Sequence, residues 1–118
     1  MNDIQKQVLI RAYENFNNRN IDGVLETMTP DIHWPNGWEG GYVNGYEEVR
    51  DYWTRQWKEL NPVVTPVEFE VIDQNVMAVH VHQLVKDHNG TVLFDGIVDH
   101  IYTFEDGLVK AMEIKKAE

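Results

Sequence analysis

The chain has 118 residues and a formal net charge of −10, from 20 acidic and 10 basic side chains. A field of that sign repels phosphate backbones and anionic lipid headgroups, so neither nucleic acid nor a membrane surface is an expected partner. No cysteine is present, which excludes disulfides and thiolate chemistry. The first residues contain no apolar leader, so we expect a cytoplasmic protein with a single domain over residues 1–118.

The first half of the chain predicts helices. Apolar residues recur at helical spacing from Asp3 to Asn18, which is typical of an amphipathic helix. A short second helix is predicted from Ile21 to Met28 and a brief strand from Asp31 to Trp34. A glycine-rich loop follows from Pro35 to Gly45, and a third helix from Tyr46 to Leu60. Because the loop contains large aromatic side chains, we expect it to cover a cavity.

The second half predicts four antiparallel strands. They span Thr65 to Ile72, Val76 to Lys86, Val92 to Phe104 and Leu108 to Lys115. The connecting turns contain the Asn, Asp or Gly residues that tight hairpins need. Helices followed by strands define an α+β fold, in which a strongly bent antiparallel sheet packs on three N-terminal helices.

The third of these strands carries ionisable groups on both faces. Strand alternation groups His100 with Val98, Tyr102 and Phe104 on one face, and it puts Asp99 on the other. A buried ionisable group is costly without a partner, so one of them needs a pocket. The apolar and aromatic face is expected to meet the helices, which favours His100 as the inner residue. A bulge would change the phase and bring Asp99 inside instead.

Two histidines on the preceding strand form a candidate metal pair. His80 and His82 lie two residues apart on one strand face, and His33 or an Asp could complete a zinc site. The opposite face of this strand is more apolar, so we place the pair on the outer side of the sheet. We expect neither a metal site nor a cofactor.

The order of elements resembles the cone-shaped fold of the nuclear transport factor 2-like superfamily, in particular its SnoaL-like and ketosteroid isomerase-like branches. The resemblance is carried by four stretches: Asn20 to Leu25, Thr29 to Trp34, Gly45 to Val49 and His100 to Val109. Together they span nearly the whole chain. The superfamily includes isomerases, cyclases, dehydratases, epoxide hydrolases and noncatalytic binders, so the resemblance implies the fold more strongly than an activity.

Ketosteroid isomerase chemistry carries over only in part. In that branch a carboxylate at the end of the first strand is the base, and a Tyr and a protonated Asp form the oxyanion hole. The resemblance puts Tyr13 near the Tyr position and either His100 or Asp99 at the Asp position. The base position falls on Trp34 or Asn36, and neither can take a proton from carbon. Ketosteroid isomerase activity itself is therefore not expected.

The resemblance implies a SnoaL-like small-molecule pocket protein. The expected ligand is apolar and bears a carbonyl, and the reaction, if there is one, is isomerisation, cyclisation or dehydration. His100 is predicted to move the proton, Tyr13 or Tyr102 to stabilise the oxyanion, and Asp99 to orient His100. The predicted ligand-binding residues are Trp34, Trp38, Tyr42, Tyr52, Trp57, Tyr102 and Met112.

Two other functions of the superfamily were considered. One is a noncatalytic ligand-binding or assembly module that forms a homodimer through the sheet. The other is epoxide hydrolysis, which resembles the superfamily's Asp-Arg-Asp enzymes. Epoxide hydrolysis is not expected, because no arginine follows Arg55 and the strands therefore cannot supply a guanidinium group.

Overall fold

The computed structural model describes residues 2–116 and contains three helices and six strands in this range. In chain order they are α1 (Asn2–Asn17), α2 (Ile21–Leu25), β1 (Met28–Pro35), β2 (Tyr42–Asn44), α3 (Gly45–Glu59), β3 (Leu60–Asp73), β4 (Val76–Asp87), β5 (Val92–Glu105) and β6 (Leu108–Lys116). The curved sheet packs on the helices, which confirms the predicted α+β cone fold. None of the helices within residues 2–116 is long and apolar enough to cross a membrane.

The strands form one sheet in the order β2-β1-β6-β5-β4-β3. Neighbouring strands are antiparallel except for β1 and β6, which run parallel. The last four strands form the predicted antiparallel meander, and the parallel pairing of β1 with β6 was not predicted. Parallel neighbours need a long connection, and here α3 and three long strands separate β1 from β6 along the chain.

Several elements differ from the prediction: β1 is longer, β2 lies in the segment predicted as a loop, and α2 and β3 differ for local reasons. Helix α2 ends at Leu25, before the predicted Met28, because the backbone N–H and the hydroxyl of Thr27 both bond to the carbonyl of Val24. Strand β3 begins directly after α3 and includes Pro62 and Pro66. It tolerates these prolines because it is an edge strand, with one side free of ladder hydrogen bonds.

The inner face of β5 lies against the helices. Val98, His100, Tyr102 and Phe104 are all buried, as strand alternation predicts. The β5–β6 turn has positive φ at both central residues, Asp106 and Gly107, which is the geometry of a two-residue hairpin turn. This register directs His100 and Tyr102 to the same side of the sheet.

Candidate functional site

An interior cavity of about 50 Å³, partly open to the surface, is lined by residues of the three helices and of strands β1, β3 and β5. Its apolar and aromatic walls consist of Ala12, Phe16, Val24, Trp34, Trp53 and Val64. The remaining lining residues are Tyr13, His100 and Tyr102, which we call the polar cluster. Among the described residues that line the cavity, none is an Asp, Glu, Lys or Arg.

The polar cluster is held together by hydrogen bonds in the protein interior. Tyr102 Oη donates to Tyr13 Oη at 2.7 Å, and Tyr13 Oη lies 2.9 Å from His100 Nδ1. Tyr102 Oη lies farther from the same nitrogen, at 3.4 Å. The rings of Tyr13 and His100 are stacked, with their planes 13° from parallel. Tyr13 is thus the central member, in close contact with both partners.

Two elements position the polar cluster. His100 and Tyr102 are two residues apart on β5, so their side chains leave the strand on one face. Tyr13 comes from α1, on the side of the helix that also buries Leu9 and is one turn from it. Packing α1 onto the sheet therefore brings together side chains that are 87 positions apart in the chain.

Burial keeps all three members of the polar cluster uncharged. It lowers the pKa of His100 from 6.5 to about 4, a shift that the charge of Asp99 opposes. It raises the pKa of Tyr13 well above 10.0, and the neighbouring Tyr102 adds to that increase. Burial also raises the pKa of Tyr102. At neutral pH, His100 is therefore a neutral imidazole with one ring proton.

Taking Tyr102 as the donor to Tyr13 fixes the other proton positions. The single proton of Tyr13 then goes to His100 Nδ1. The ring proton of His100 then lies on Nε2. Among residues 2–116, the side-chain hydrogen bonds of His100 all involve Nδ1. The Nε2–H group is consequently the donor that the polar cluster can offer to a ligand.

Asp99 lies on the outer face of the sheet and does not join the polar cluster. Its carboxylate is 2.5 Å from Nδ1 of His80 on the neighbouring strand. Strands β4 and β5 pair without interruption from Val76 to Val85, so no bulge turns Asp99 inward. The prediction that Asp99 orients His100 does not hold, because consecutive strand residues point to opposite faces.

Two of the predicted ligand-binding residues, Trp34 and Tyr102, line the cavity. Trp57 lies one layer behind the wall, stacked on Trp53 with 5.8 Å between ring centroids. Met112 is a core residue that is 2% exposed and pairs with Tyr102 across β5 and β6. Trp57 and Met112 therefore support the wall from behind and are not among its lining residues.

The other predicted ligand-binding residues, Trp38, Tyr42 and Tyr52, are not among the residues that line the cavity. Trp38 and Tyr42 are exposed, and the Tyr42 hydroxyl donates to Glu113 at 2.6 Å, which joins β2 to β6. Tyr52 is buried, and its hydroxyl accepts a hydrogen bond from the Gln56 side chain at 3.2 Å.

Sequence reasoning missed the remaining cavity-lining residues, Ala12, Phe16, Val24, Trp53 and Val64. Helix periodicity predicts that Phe16 and Trp53 are inside, but it does not distinguish a core residue from a cavity wall. The sequence does contain a signal for Ala12 and Phe16. They are four residues apart, so they lie on one face of α1, next to Tyr13. Val64 gave no such signal, because it precedes the part of β3 that was predicted as a strand.

The outer face of the sheet carries a second set of histidine contacts. His80 is bonded to Asp99, and His82 Nε2 lies 2.6 Å from a carboxylate oxygen of Asp95. The hydrogen bond to Asp99 raises the pKa of His80. Within residues 2–116, no group of three or more His, Asp or Glu side chains is arranged to hold a metal ion.

An open surface groove of about 650 Å³ lies elsewhere on the molecule. It is lined by Ile4 and Gln5 of α1, by Asn75 and by the β5–β6 turn with its neighbours. None of the predicted site residues lines this groove. The interior cavity is therefore the stronger candidate, because it collects the buried polar groups.

Solved structures with the same fold are numerous. A protein from Burkholderia pseudomallei described as NTF2-like and of unknown function has a TM-score of 0.84 at 23% identity, over 97% of this chain and 91% of that one. TerC co-crystallised with polyporic acid has a TM-score of 0.84 at 24% identity, over 97% and 92%. Rv0760c from Mycobacterium tuberculosis, in complex with estradiol-17β-hemisuccinate, has a TM-score of 0.81 at 15% identity, over 94% and 92%. At such identities these likenesses show the fold alone.

The family is shown by a sequence match. No curated protein sequence matches the chain significantly. The SnoaL-like domain, however, matches residues 9–112, a range that includes every residue lining the interior cavity. The match also covers the helices and strands that enclose this cavity. The chain therefore belongs to the SnoaL-like domain family.

Proposed function

We propose that this SnoaL-like protein binds an uncharged, largely apolar small molecule that carries a carbonyl or another acceptor oxygen. The observation that carries the proposal is the polar cluster, in which Tyr13, His100 and Tyr102 meet at an otherwise apolar cavity. A few positioned polar groups in an apolar pocket are typical of small-molecule sites. Burying polar side chains is costly unless each has a hydrogen-bond partner, and a ligand-binding role would account for that cost.

The proton positions select the kind of ligand. His100 Nδ1 is occupied by Tyr13, so the polar cluster offers a donor at Nε2 and calls for an acceptor on the ligand. The described lining contains no Asp, Glu, Lys or Arg. An ionised ligand would lose its hydration there without gaining an ionic partner. A neutral ketone or ester fits both conditions.

The cavity must widen to hold a ring-containing ligand. Its volume is about 50 Å³, whereas small-molecule pockets usually enclose about 300–1,000 Å³. Local rearrangement on binding is common for side chains and occurs in a minority of complexes for the backbone. Opening of one wall is accordingly part of the proposal.

We extend the proposal to acid–base chemistry on the bound carbonyl: isomerisation, cyclisation or dehydration. The Nε2–H group of His100 would polarise the carbonyl and stabilise negative charge that develops on its oxygen, with Tyr13 holding the imidazole through Nδ1. A pKa of about 4 makes His100 a weak base. It supports donation to an oxyanion, and the proton that leaves carbon would pass to water that enters with the ligand, because the described lining contains no carboxylate.

Two structural neighbours support a small organic ligand. TerC was co-crystallised with polyporic acid, and the Mycobacterium tuberculosis protein is in complex with estradiol-17β-hemisuccinate. Both compounds carry acidic groups, so the uncharged state of the proposed ligand rests only on the lining of this cavity.

The proposal is tested by titrating the protein with acetophenone, a neutral aromatic ketone. Trp34 and Trp53 line the cavity, so binding should quench tryptophan fluorescence saturably. His100→Asn should weaken binding by about tenfold, the effect of losing one good buried hydrogen bond. His82→Gln, on the outer face, is the matched control and should leave the affinity unchanged.

Turnover is tested with the same ketone in deuterated water. Incorporation of deuterium into its methyl group, followed by NMR, would report proton removal next to the carbonyl. Incorporation that His100→Asn abolishes would support the enzyme. Saturable binding without incorporation would leave a ligand-binding protein, and binding that is indifferent to His100→Asn would contradict the proposed site.

A noncatalytic homodimer through the sheet is the second proposed function. It is supported by Ile97, an outer-face residue of β5 that is 45% exposed and lies directly opposite His82. Ile97→Lys should convert a dimer into a monomer in sedimentation velocity. A wild-type protein that sediments as a monomer would contradict this proposal. A cytoplasmic location stays a prediction from the sequence.

A further inference from the structure

We propose that Arg19 fastens one wall of the cavity and thereby limits the size of the ligand that the cavity accepts. This inference rests on the proposed function, which supplies the ligand. It identifies the wall that must open and the side chain that keeps it closed. It concerns the turn between α1 and α2 and the beginning of β3, where Trp57 is a predicted site residue in contact.

The cavity comes nearest to the surface at two side chains. Of the residues that line it, Phe16 and Trp34 are half-buried and the others are buried. The Phe16 ring contacts Trp53 and Trp57 edge to face, with ring centroids 5.4 Å and 5.2 Å away. Phe16 is therefore at once a wall of the cavity and part of the surface, so its outward movement would enlarge the cavity.

Arg19 covers this part of the wall from outside. Its guanidinium carbon lies 5.0 Å from the centroid of the Trp57 ring and 5.8 Å from that of the Phe16 ring, as expected for cation–π contacts. Nη1 donates to the carbonyl of Phe16 at 3.2 Å, and Nη2 donates to Asn61 Oδ1 at 2.5 Å and to the Pro62 carbonyl at 2.7 Å. One side chain thus links α1, α3 and β3.

The backbone at Arg19 ends α1. Its φ angle is 62°, in the left-handed region. The N–H of Arg19 bonds to the carbonyl of Phe16 and the N–H of Asn20 to that of Asn15, as in a Schellman helix end. These bonds fix the turn from which the Arg19 side chain extends over Phe16 and Trp57.

Asn17 adds a second attachment beside Arg19. Its side-chain amide donates to the carbonyl of Val64 at 2.7 Å and accepts from the Val64 N–H at 2.9 Å. Val64 itself lines the cavity. Phe16 is next to Asn17 in the chain and close to Arg19. The end of α1 can therefore move outward only if the attachments to β3 release.

Trp57 would gain a partner if this wall opened. Its indole Nε1 is buried and has no hydrogen-bond partner within the described part of the chain. An unpaired buried donor gains a partner when water or a ligand oxygen reaches it. Opening between Phe16 and Trp57 would provide that hydrogen bond, while Arg19 would give up its own bonds, so the Arg19 contacts oppose the opening.

The test compares two neutral ketones, acetophenone with one ring and 9-fluorenone with three, in stopped-flow tryptophan quenching. Arg19→Ala should raise the association rate and the affinity of 9-fluorenone about tenfold, the factor expected from losing a desolvated cation–π contact with its hydrogen bonds. Acetophenone should change much less, because it needs less additional space. Arg50→Ala is the matched control, since it removes an exposed ion pair with Asp22 on α2.

A second variant keeps the test decisive if Arg19→Ala folds poorly. Asn61→Ala removes one acceptor of the Arg19 guanidinium from the β3 side and should raise the 9-fluorenone rate in the same direction by a smaller factor. Thermal unfolding of each variant shows that the comparison is made on folded protein.

The outcomes separate this inference from the proposed function. If wild-type protein binds both ketones and the 9-fluorenone rate is unchanged in Arg19→Ala and Asn61→Ala, the inference about Arg19 is overturned and ligand binding stands. If Trp34→Ala raises that rate and Arg19→Ala does not, the opening lies at Trp34 and the inference is again overturned. If neither ketone binds to wild-type protein or to Arg19→Ala, both proposals fail.

Discussion

His100 and His80 lie on neighbouring strands and have opposite chemical environments. His100 is on the inner face of β5, is 6% exposed and contacts a phenol, and burial lowers its pKa to about 4. His80 is on the outer face of β4, and its hydrogen bond to Asp99 raises its pKa. Asp99, which bonds to His80, directly precedes His100 in the chain.

The difference teaches that the face of a strand decides what an ionisable residue can do. Burial among apolar side chains disfavours the charged imidazole, while a carboxylate at hydrogen-bonding distance favours it. The inner histidine is thereby suited to donate one hydrogen bond as a neutral group. The outer histidine takes part in an ion pair near solvent, where such pairs contribute little to stability.

The largest expected effect is the pH dependence of stability that His100 causes. Its folded pKa of about 4 lies below the unfolded value of 6.5, so the unfolded chain binds more protons between these two pH values. The contribution of His100 to the free energy of unfolding is complete above about pH 6.5 and falls by roughly 3 kcal/mol as the pH drops to about 4. Urea unfolding from pH 4 to 7.5 should show this slope in wild-type protein and not in His100→Asn.

That comparison also controls for the many carboxylates, which titrate in both proteins. If the difference between wild-type protein and His100→Asn is independent of pH, the neutral, buried state assigned to His100 is wrong. An NMR titration of the imidazole signals is an independent test, since the pKa of His80 should be higher than that of His100.

The next largest effect on stability is expected from removing the tyrosine hydroxyl groups of the polar cluster one at a time. Tyr13→Phe removes the hydroxyl that contacts both partners and should lower the free energy of unfolding by about 1–3 kcal/mol, the cost of leaving buried polar groups unpaired. Tyr102→Phe leaves the Tyr13–His100 contact intact and should cost about 1 kcal/mol. Urea unfolding at pH 7 measures both. A larger loss in Tyr102→Phe would show that Tyr13 is not the central member.

A smaller effect is expected on the outer face from Asp99→Asn. A raised folded pKa means that His80 adds stability below its unfolded pKa and that this contribution disappears as the pH rises through the folded value. The variant should therefore lose more stability at pH 6 than at pH 8, and less than about 1 kcal/mol in either case. Its affinity for acetophenone should equal that of wild-type protein. A loss of binding would mean that Asp99 contributes to the ligand-binding site.

The smallest effect is expected from His82→Gln. The His82–Asp95 pair is exposed, with side-chain exposures of 42% and 59%, and surface substitutions of this kind usually change stability by less than about 0.5 kcal/mol. Urea unfolding and the acetophenone titration should both match wild-type protein. A clear change in either would mean that the outer face has a role in the site.

Much of the fold was predictable because its signals are local. The helical spacing of α1, the alternation along β5 and the Asp106-Gly107 turn each follow from neighbouring residues, and all three are present in the structure. The parallel pairing of β1 with β6 was not predictable in this way. It depends on contacts between β1 and β6, which are far apart in the chain, and no local residue spacing predicts such a pairing.

Site residues were predictable where they belong to a helix or strand with regular residue spacing, and they were not predictable in irregular segments. Tyr13, His100 and Tyr102 belong to regular elements, and the structure brings them together at the cavity. Trp38 belongs to an irregular loop, in which residue type gives no direction to a side chain, and Tyr42 begins β2, a strand that lies in the predicted loop. Both are exposed, and the Tyr42–Glu113 bond lies outside any repeating pattern.

The sequence by itself determined the class of fold and the face of β5 to which each residue belongs, because both depend on short-range periodicity and steric alternation. Only the tertiary structure decided that Tyr13 contacts His100 and that Asp99 pairs with His80. It also decided that the Arg19 side chain lies over Phe16 and bonds to its carbonyl. Hydrogen bonds and burial join residues that are far apart in the chain, so their partners, and the pKa values that follow from them, exist only once the helices are packed on the sheet.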